Sequence, residues 1–163
     1  MEIVKPRQTI LVSTRGNAEV LSKKIKKDNI FTLSWHTPVS FEPFLYAISI
    51  SPKRFSYKLI KESGVFCVNF ISKDLKKQAL FCGSQTGEHM DKFKETKLTK
   101  GECSKIDCPS IKESLGCLEC EVINEIEGGD HLIIIGKVLN ICENKKGKRL
   151  FQTKGRTFTT TVG

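Results

Sequence analysis

The stretch "LGCLECEVINEIEGGDHLIIIGKVLNICE" (Leu115–Glu143) constrains this chain most. It holds two β-patterned runs, Leu115–Glu127 and His131–Glu143, on either side of Glu127-Gly128-Gly129-Asp130. In the first run Leu118, Cys120, Val122 and Asn124 face one way, and Cys117, Glu119, Glu121 and Ile123 the other. That period of two describes a half-buried strand with one wet face. The glycine pair supplies a tight reversal, so the two runs are expected to form a long hairpin. Shorter runs with the same bias precede it: Gln8–Thr14, Asn29–Trp35, Phe44–Ile50 and Gly64–Phe70,. "ENKKGKR" reads as a further reversal before "LFQT".

Helical signals are few. Asn17–Ile25 and Lys73–Phe81 are candidate short helices, and Ser56–Gly64 is better defined. There Ser56 is expected to cap, Leu59 and Ile60 to supply the apolar stripe, and Gly64 to stop the helix. Many strands, close turns and a few peripheral helices predict a mainly β, small-barrel fold. With 163 residues and no repeat, one domain over 1–163 is expected,. No run reaches the apolar length of a membrane-spanning helix, and the N-terminus lacks a signal-peptide pattern,. A cytoplasmic setting follows. Seven cysteines, an odd number without a secretion signal, argue against a disulfide scaffold,.

The net charge of +9 asks for an anionic partner, nucleic acid or an anionic cofactor,. No short segment resembles an aromatic RNA-reading platform, so nucleic acid is not expected. "SPKRFSYKLIKESG" offers a more local anion site. A helix starting near Ser56 would aim a hydroxyl, free N–H groups and the positive end of its dipole at one point, with the Arg54 fork upstream. An ordinary basic turn capped by serine accounts for the same letters. Cys103, Cys108, Cys117 and Cys120 invite a metal reading, but only Cys117–Cys120 has ligand-like spacing. On a strand those two sulfurs point to opposite faces. No metal is therefore expected.

Four segments in order resemble the flavin reductase-like, FMN-binding split-barrel family, in particular its flavoredoxin and archaeal flavoprotein branch. They are "NIFTLSWHTPVSFEP" (29–43), "SPKRFSYKLIKESGVFCVNF" (51–70), "CGSQTGEHMDKF" (82–93) and "GGDHLIIIGKVL" (128–139), within a resemblance running from about Lys5 to about Phe158. The resemblance implies a Greek-key split β-barrel that dimerises with FMN near the interface. It also implies that Thr32, Leu33, Ser34 and Trp35 line the flavin, and that Arg54, Phe55 and Ser56 hold its phosphate, with Ser49 and Ser51 along the same edge. Cys82, Gly83, Gln85, Gly87, His89 and Lys92 would belong to a loop over the cofactor. His131 would sit where a hydride donor docks, tuning the flavin or pairing with a donor phosphate. Hydride transfer to flavin is largely the cofactor's own chemistry. Three functions remain open: an NAD(P)H-dependent flavin reductase, a flavoredoxin-type carrier reduced by a redox protein partner, and a non-enzymatic FMN-binding protein. The dinucleotide fingerprint G-x-G-x-x-G is missing, which decides nothing among them,.

Overall fold

The computed structural model describes residues 1–162; Gly163, the last residue of the expected domain, lies outside them. In chain order the strands are β1 (Arg7–Gln8), β2 (Ile10–Val20), β3 (Lys23–Leu33), β4 (His36–Ser40) and β5 (Leu45–Ile50). After helix α1 (Phe55–Ser63) come β6 (Val65–Phe70), α2 (Lys76–Ser84) and α3 (Lys92–Thr96). The chain then forms β7 (Lys100–Glu102), β8 (Pro109–Ile111), β9 (Gly116–Gly128), β10 (His131–Glu143), β11 (Leu150–Lys154) and β12 (Thr157–Thr160).

Seven strands make one antiparallel sheet in the order β3-β2-β6-β9-β10-β5-β4. Its two edge strands, β3 and β4, follow each other in sequence, so the sheet curls until its edges meet through Ser34 and Trp35. The seam is held by side chains: Thr9 Oγ1 and Ser34 Oγ lie 3.0 Å apart, and His36 Nε2 is 2.8 Å from the Gln8 carbonyl. Strands β5 and β6 are sequential yet separated by the β9–β10 hairpin, a Greek-key crossing bridged by α1. This is the mainly β split barrel with short peripheral helices that the sequence implies.

Period-two alternation on both sides of β2 fixes the layers. Ile10 and Val12 point into the barrel with Phe31, Ile48, Phe66, Val68, Leu118 and Ile134. Leu11 points outward with Ile30, and α2 and α3 cover them with Ala79 and Phe93. The β9–β10 turn is the two residues Gly129-Asp130, with His131 paired to Gly128 and Gly129 at φ 76°. A positive φ at the first turn residue alone gives the type II′ geometry, which glycine adopts without strain.

The helix expected over Asn17–Ile25 does not form. Those residues are the far halves of β2 and β3, paired from Ile10↔Leu33 to Val20↔Lys23 around Leu21-Ser22. Both turn residues have positive φ, 51° and 63°. The eleven-residue pairing offsets the cost of a left-handed turn without glycine. The helical expectations over 73–81 and 56–64 fare better. The first is a 3₁₀ turn (Lys73–Leu75) running into α2, and the second is α1, ended by Gly64 at φ 72°. No helix among the described residues is long and apolar enough to cross a membrane.

Candidate flavin site

Segment ends, not strand faces, build a cleft with a volume of about 530 Å³. It gathers the ends of β3 and β5, the start of α1, the C-terminal end of α2 with the loop to Gly87, Lys92 of α3, and the first residue of β10. Of the site residues inferred from sequence, it brings together Thr32, Leu33, Ser49, Ser51, Arg54, Phe55, Ser56, Cys82, Gly83, Gln85, Gly87, Lys92 and His131.

Three do not line it. Ser34 turns to Thr9 across the barrel seam. His89 is exposed beyond the end of the loop. Trp35, 38% exposed, stands at the rim with its ring centroid 4.9 Å from that of His131. Phe31, Ile50, Lys53, Ser84 and Thr86 also line the cleft. Phe31 and Ile50 read in sequence only as strand core.

The α1 end departs from expectation in one informative way. Arg54, not Ser56, occupies the N-cap position, and no side chain caps the helix. The Arg54 N–H donates to the Ser51 carbonyl (3.1 Å), closing the turn that leads in. The N–H groups of Phe55 and Ser56, in the first turn, have no intrahelical acceptor. Ser56 is buried, and its Oγ accepts from Asn29 Nδ2 at 2.8 Å. That leaves the Ser56 O–H free to donate. Asn29 Oδ1 is itself buried without a partner. Asn29 lies 27 residues away on β3, a contact that local sequence does not reveal.

Opposite α1, Lys92 is only 3% exposed, yet it carries an amine. Its Nζ donates to the carbonyls of Ile30 and Cys82, both at 2.9 Å. An ammonium has a third N–H, and none of the described residues accepts it. Burial lowers the Lys92 pKa to about 8, Cys82 opposing and nearby Arg54 reinforcing the shift. Cys82 is held the other way: burial pushes its thiol up to about 11, so it stays protonated. A neutral thiol at this position packs against its neighbours and is a poor nucleophile.

Small residues keep the wall close. Thr32 Oγ1 donates to the Ala79 carbonyl (2.5 Å), tying β3 to α2, and a Cβ on Gly83 would lie 3.3 Å from the Thr32 side chain. A Cβ on Gly87 would collide with the Asn29 amide. At the far rim His131 Nδ1 donates to Asp130 (2.7 Å), which holds the ring and pulls the Asp130 carboxyl below its usual range. His131 Nε2 is thereby left for a ligand.

Unclaimed donors from α1, Ser56 and Lys92 at one end, a close-packed β3 wall, and a histidine–tryptophan pair at the other suit a flat, anionic, phosphate-bearing group. Comparison with known proteins agrees. Residues 6–160 match the flavin reductase like domain, and the chain belongs to that family of flavin-binding oxidoreductases. An uncharacterized protein of Archaeoglobus fulgidus is 35% identical over 146 residues, 83% of this chain and 82% of that one. The reductase subunit HsaB of a flavin-dependent monooxygenase from Rhodococcus jostii is 27% identical over 72% of this chain and 57% of its own length. Among solved structures, the FMN-binding protein of Thermus thermophilus with bound p-hydroxybenzaldehyde superposes with a TM-score of 0.83 at 22% identity. That match covers 98% of this chain and 89% of the other.

Lys92 should titrate near pH 8 in the folded protein, well below an exposed lysine,. The sign follows from burial. Between pH 8 and the ordinary lysine value the unfolded chain binds the extra proton, so this group's contribution to stability rises with pH in that window. Side-chain NMR of Lys92 reads the midpoint, and a value at the exposed-lysine position would mean that the amine is hydrated.

Proposed function

We propose that this chain binds one FMN per subunit of a homodimer and reduces it with NADH or NADPH. The observation that carries the reading is the uncapped start of α1 facing buried Lys92 across one cleft. Arg54, the Ser56 hydroxyl and the first-turn N–H groups would hold the phosphate, and the Lys92 ammonium would add a charge from the opposite wall. Thr32, Leu33 and Phe31 would pack the ring system, with backbone donors at its edge. Bound FMN would supply the hydride acceptor. The protein's part is to orient it, keep water from its buried side and leave the His131 edge open to the donor. His131 Nε2 is suited to bind the donor or to stabilise negative charge, with Asp130 fixing the ring,.

The relatives support this reading: one is named as a flavin-dependent monooxygenase reductase subunit, and the superposed Thermus protein as FMN-binding. A dimer is supported by apolar groups left uncovered near the rim, among them Trp35 and Ile133, 38% and 37% exposed. A cytoplasmic setting fits seven free cysteines, since reducing compartments keep thiols unpaired,.

Mixing the FMN-loaded protein with NADH or NADPH under anaerobic conditions should bleach the flavin band at a rate that saturates with nicotinamide. Bleaching only by a reduced redox protein would assign the chain to electron transfer instead. In light scattering the same sample should run at twice 18.4 kDa; a monomer that retains FMN would remove the shared-site arrangement. Arg54→Ala should weaken FMN binding roughly tenfold or more, a charge-assisted contact being worth about 1.5–3 kcal/mol. Riboflavin, which lacks the phosphate, should be barely affected. Ser56→Ala should act in the same direction but less strongly, while exposed Lys58→Ala should leave both flavins unchanged. Equal weakening for the two flavins would show general disruption in place of phosphate recognition.

A further inference from the structure

Five of the seven cysteines gather away from the flavin cleft. Cys67, Cys108 and Cys117 form one buried cluster with Cys103 and Cys142 packed against it, and none of them lines the cleft. The sheet supplies Cys67 from β6, Cys117 from β9 and Cys142 from β10, directly opposite Cys117. The β7–β8 hairpin lies over this face and brings Cys103 and Cys108. Among the described residues no three such groups are arranged to hold a metal ion.

The hairpin loop is held firmly. Glu119, 3% exposed, accepts the N–H groups of Ser104 (3.0 Å) and Lys105 (2.7 Å) as well as Asn140 Nδ2 (3.0 Å). At the other end Ser13 Oγ donates to the Pro109 carbonyl (2.5 Å), and Cys108 Sγ to the Ser13 carbonyl (3.3 Å). Between these anchors Cys103 and Cys108 stand across from each other. The pairing runs from Lys100↔Ile111 to Glu102↔Pro109, and one bond beyond it joins the next two residues: the Cys103 N–H donates to the Cys108 carbonyl at 3.0 Å, while the Cys108 N–H turns to the Ile106 carbonyl at 3.0 Å. Residues directly opposite on antiparallel neighbours have Cα atoms about 4.5–5.5 Å apart. A disulfide accepts about 4.4–6.8 Å.

The two sulfurs differ in the way a reactive pair requires. Cys103 is partly exposed, whereas Cys108 is fully buried. The neighbouring thiols of Cys108 and Cys67 hold Cys103 below its ordinary pKa, while Cys67 and Cys108 themselves are raised. In the other cross-strand pair the order reverses: buried Cys117 is lowered and part-exposed Cys142 is raised. Only in the hairpin is the accessible sulfur also the thiolate-favouring one.

We propose that Cys103 and Cys108 form an oxidisable dithiol that reacts with a small hydroperoxide and closes to a disulfide. The Cys103 thiolate attacks a peroxide oxygen. An S–O bond forms, the O–O bond breaks, and the departing hydroxide takes up a proton to become water. The Cys108 sulfur then attacks the resulting sulfenic sulfur, an S–S bond forms, and the S–O bond breaks to release a second water. Two thiols are oxidised by two electrons, and one hydrogen peroxide becomes two waters. The part-exposed, thiolate-favouring sulfur beside a buried resolving partner is the arrangement that sensor thiols share.

The test treats the full chain with one equivalent of hydrogen peroxide, alkylates the remaining thiols and maps the peptides by mass spectrometry. Two of the seven thiols should be lost, joined as Cys103–Cys108. Before oxidation, Cys103 should alkylate at pH 7 roughly tenfold or more faster than Cys142, as a depressed thiol pKa requires. Cys108→Ser should leave Cys103 as a sulfenic acid that dimedone captures, and Cys103→Ser should abolish the fast reaction. The wild-type map stands alone if either variant fails to fold. First pairing at Cys117–Cys142 or Cys103–Cys67, or thiols no more reactive than those of the unfolded chain, would overturn the proposal.

Discussion

The bend of the β9–β10 hairpin at Gly136 is the constraint from which the rest of this barrel follows. The first half of β9 pairs with β6 and the first half of β10 with β5, so the hairpin must serve two walls that face different ways. It does so through register shifts between Ile135 and Gly136 and between Val138 and Asn140. Bulges bend a strand and increase its local twist. At the bend a Cβ on residue 136 would lie 2.7 Å from Phe66 Cζ and 2.8 Å from Cys120 Cβ. Phe66 is fully buried at the centre of the barrel, and overpacking at such a point costs about 1–3 kcal/mol,. The bend carries the start of β10 to the cleft, with His131 at its rim, and carries Glu119 and Asn140 to the opposite end, under the β7–β8 loop.

The cleft, by contrast, concentrates features that a stability-optimised chain would avoid. An uncapped helix, a buried amide oxygen without a partner and a desolvated lysine lie around one volume. Each carries a cost: a missing cap about 1 kcal/mol, an unsatisfied buried polar atom about 1–3 kcal/mol. Such local violations of folding rules are expected where a ligand completes the structure. The rigid surroundings make them tolerable. Thr32 is locked to α2, and Lys27 Nζ donates to the Glu88 carbonyl (2.7 Å), holding the loop after Gly87.

What the sequence made legible was what depends on local periodicity. Alternation in β2, β5, β6, β9 and β10, Gly64 as the α1 stop and the gathering of cations near Arg54 all act over a few residues. The failures share a different cause. Leu21-Ser22 lacks the asparagine or glycine that usually announces a hairpin turn, so the pairing energy that forces it was invisible locally. Ser56 looked like a cap because serine caps helices. Its hydroxyl is instead claimed by Asn29, a partner supplied only by the curl of the sheet. Trp35 and His131 were both in view, yet their mutual contact depends on β5 holding the Trp35 carbonyl through Ser49 N–H at 2.9 Å.

The cysteines show the same division between local and folded information. Strand alternation correctly separated Cys120, which faces the barrel interior, from Cys117, which faces the hairpin loop. That separation breaks the four-cysteine group that local counting suggested. The fold then replaces it with a different one, by adding Cys67 and Cys142 from strands far apart in sequence. Cys82 alone among the described cysteines lines the cleft, and burial keeps it a neutral thiol. A protonated sulfur is a weak nucleophile, so the one thiol lining the candidate site is chemically quiet. Cys103, the part-exposed thiol whose neighbours lower its pKa, sits in the β7–β8 loop and does not line the cleft. The cleft lining and the five-cysteine cluster share no residue, so the fold divides its cysteines between a single buried thiol at the candidate site and a group gathered where β6, β9 and β10 meet the β7–β8 loop.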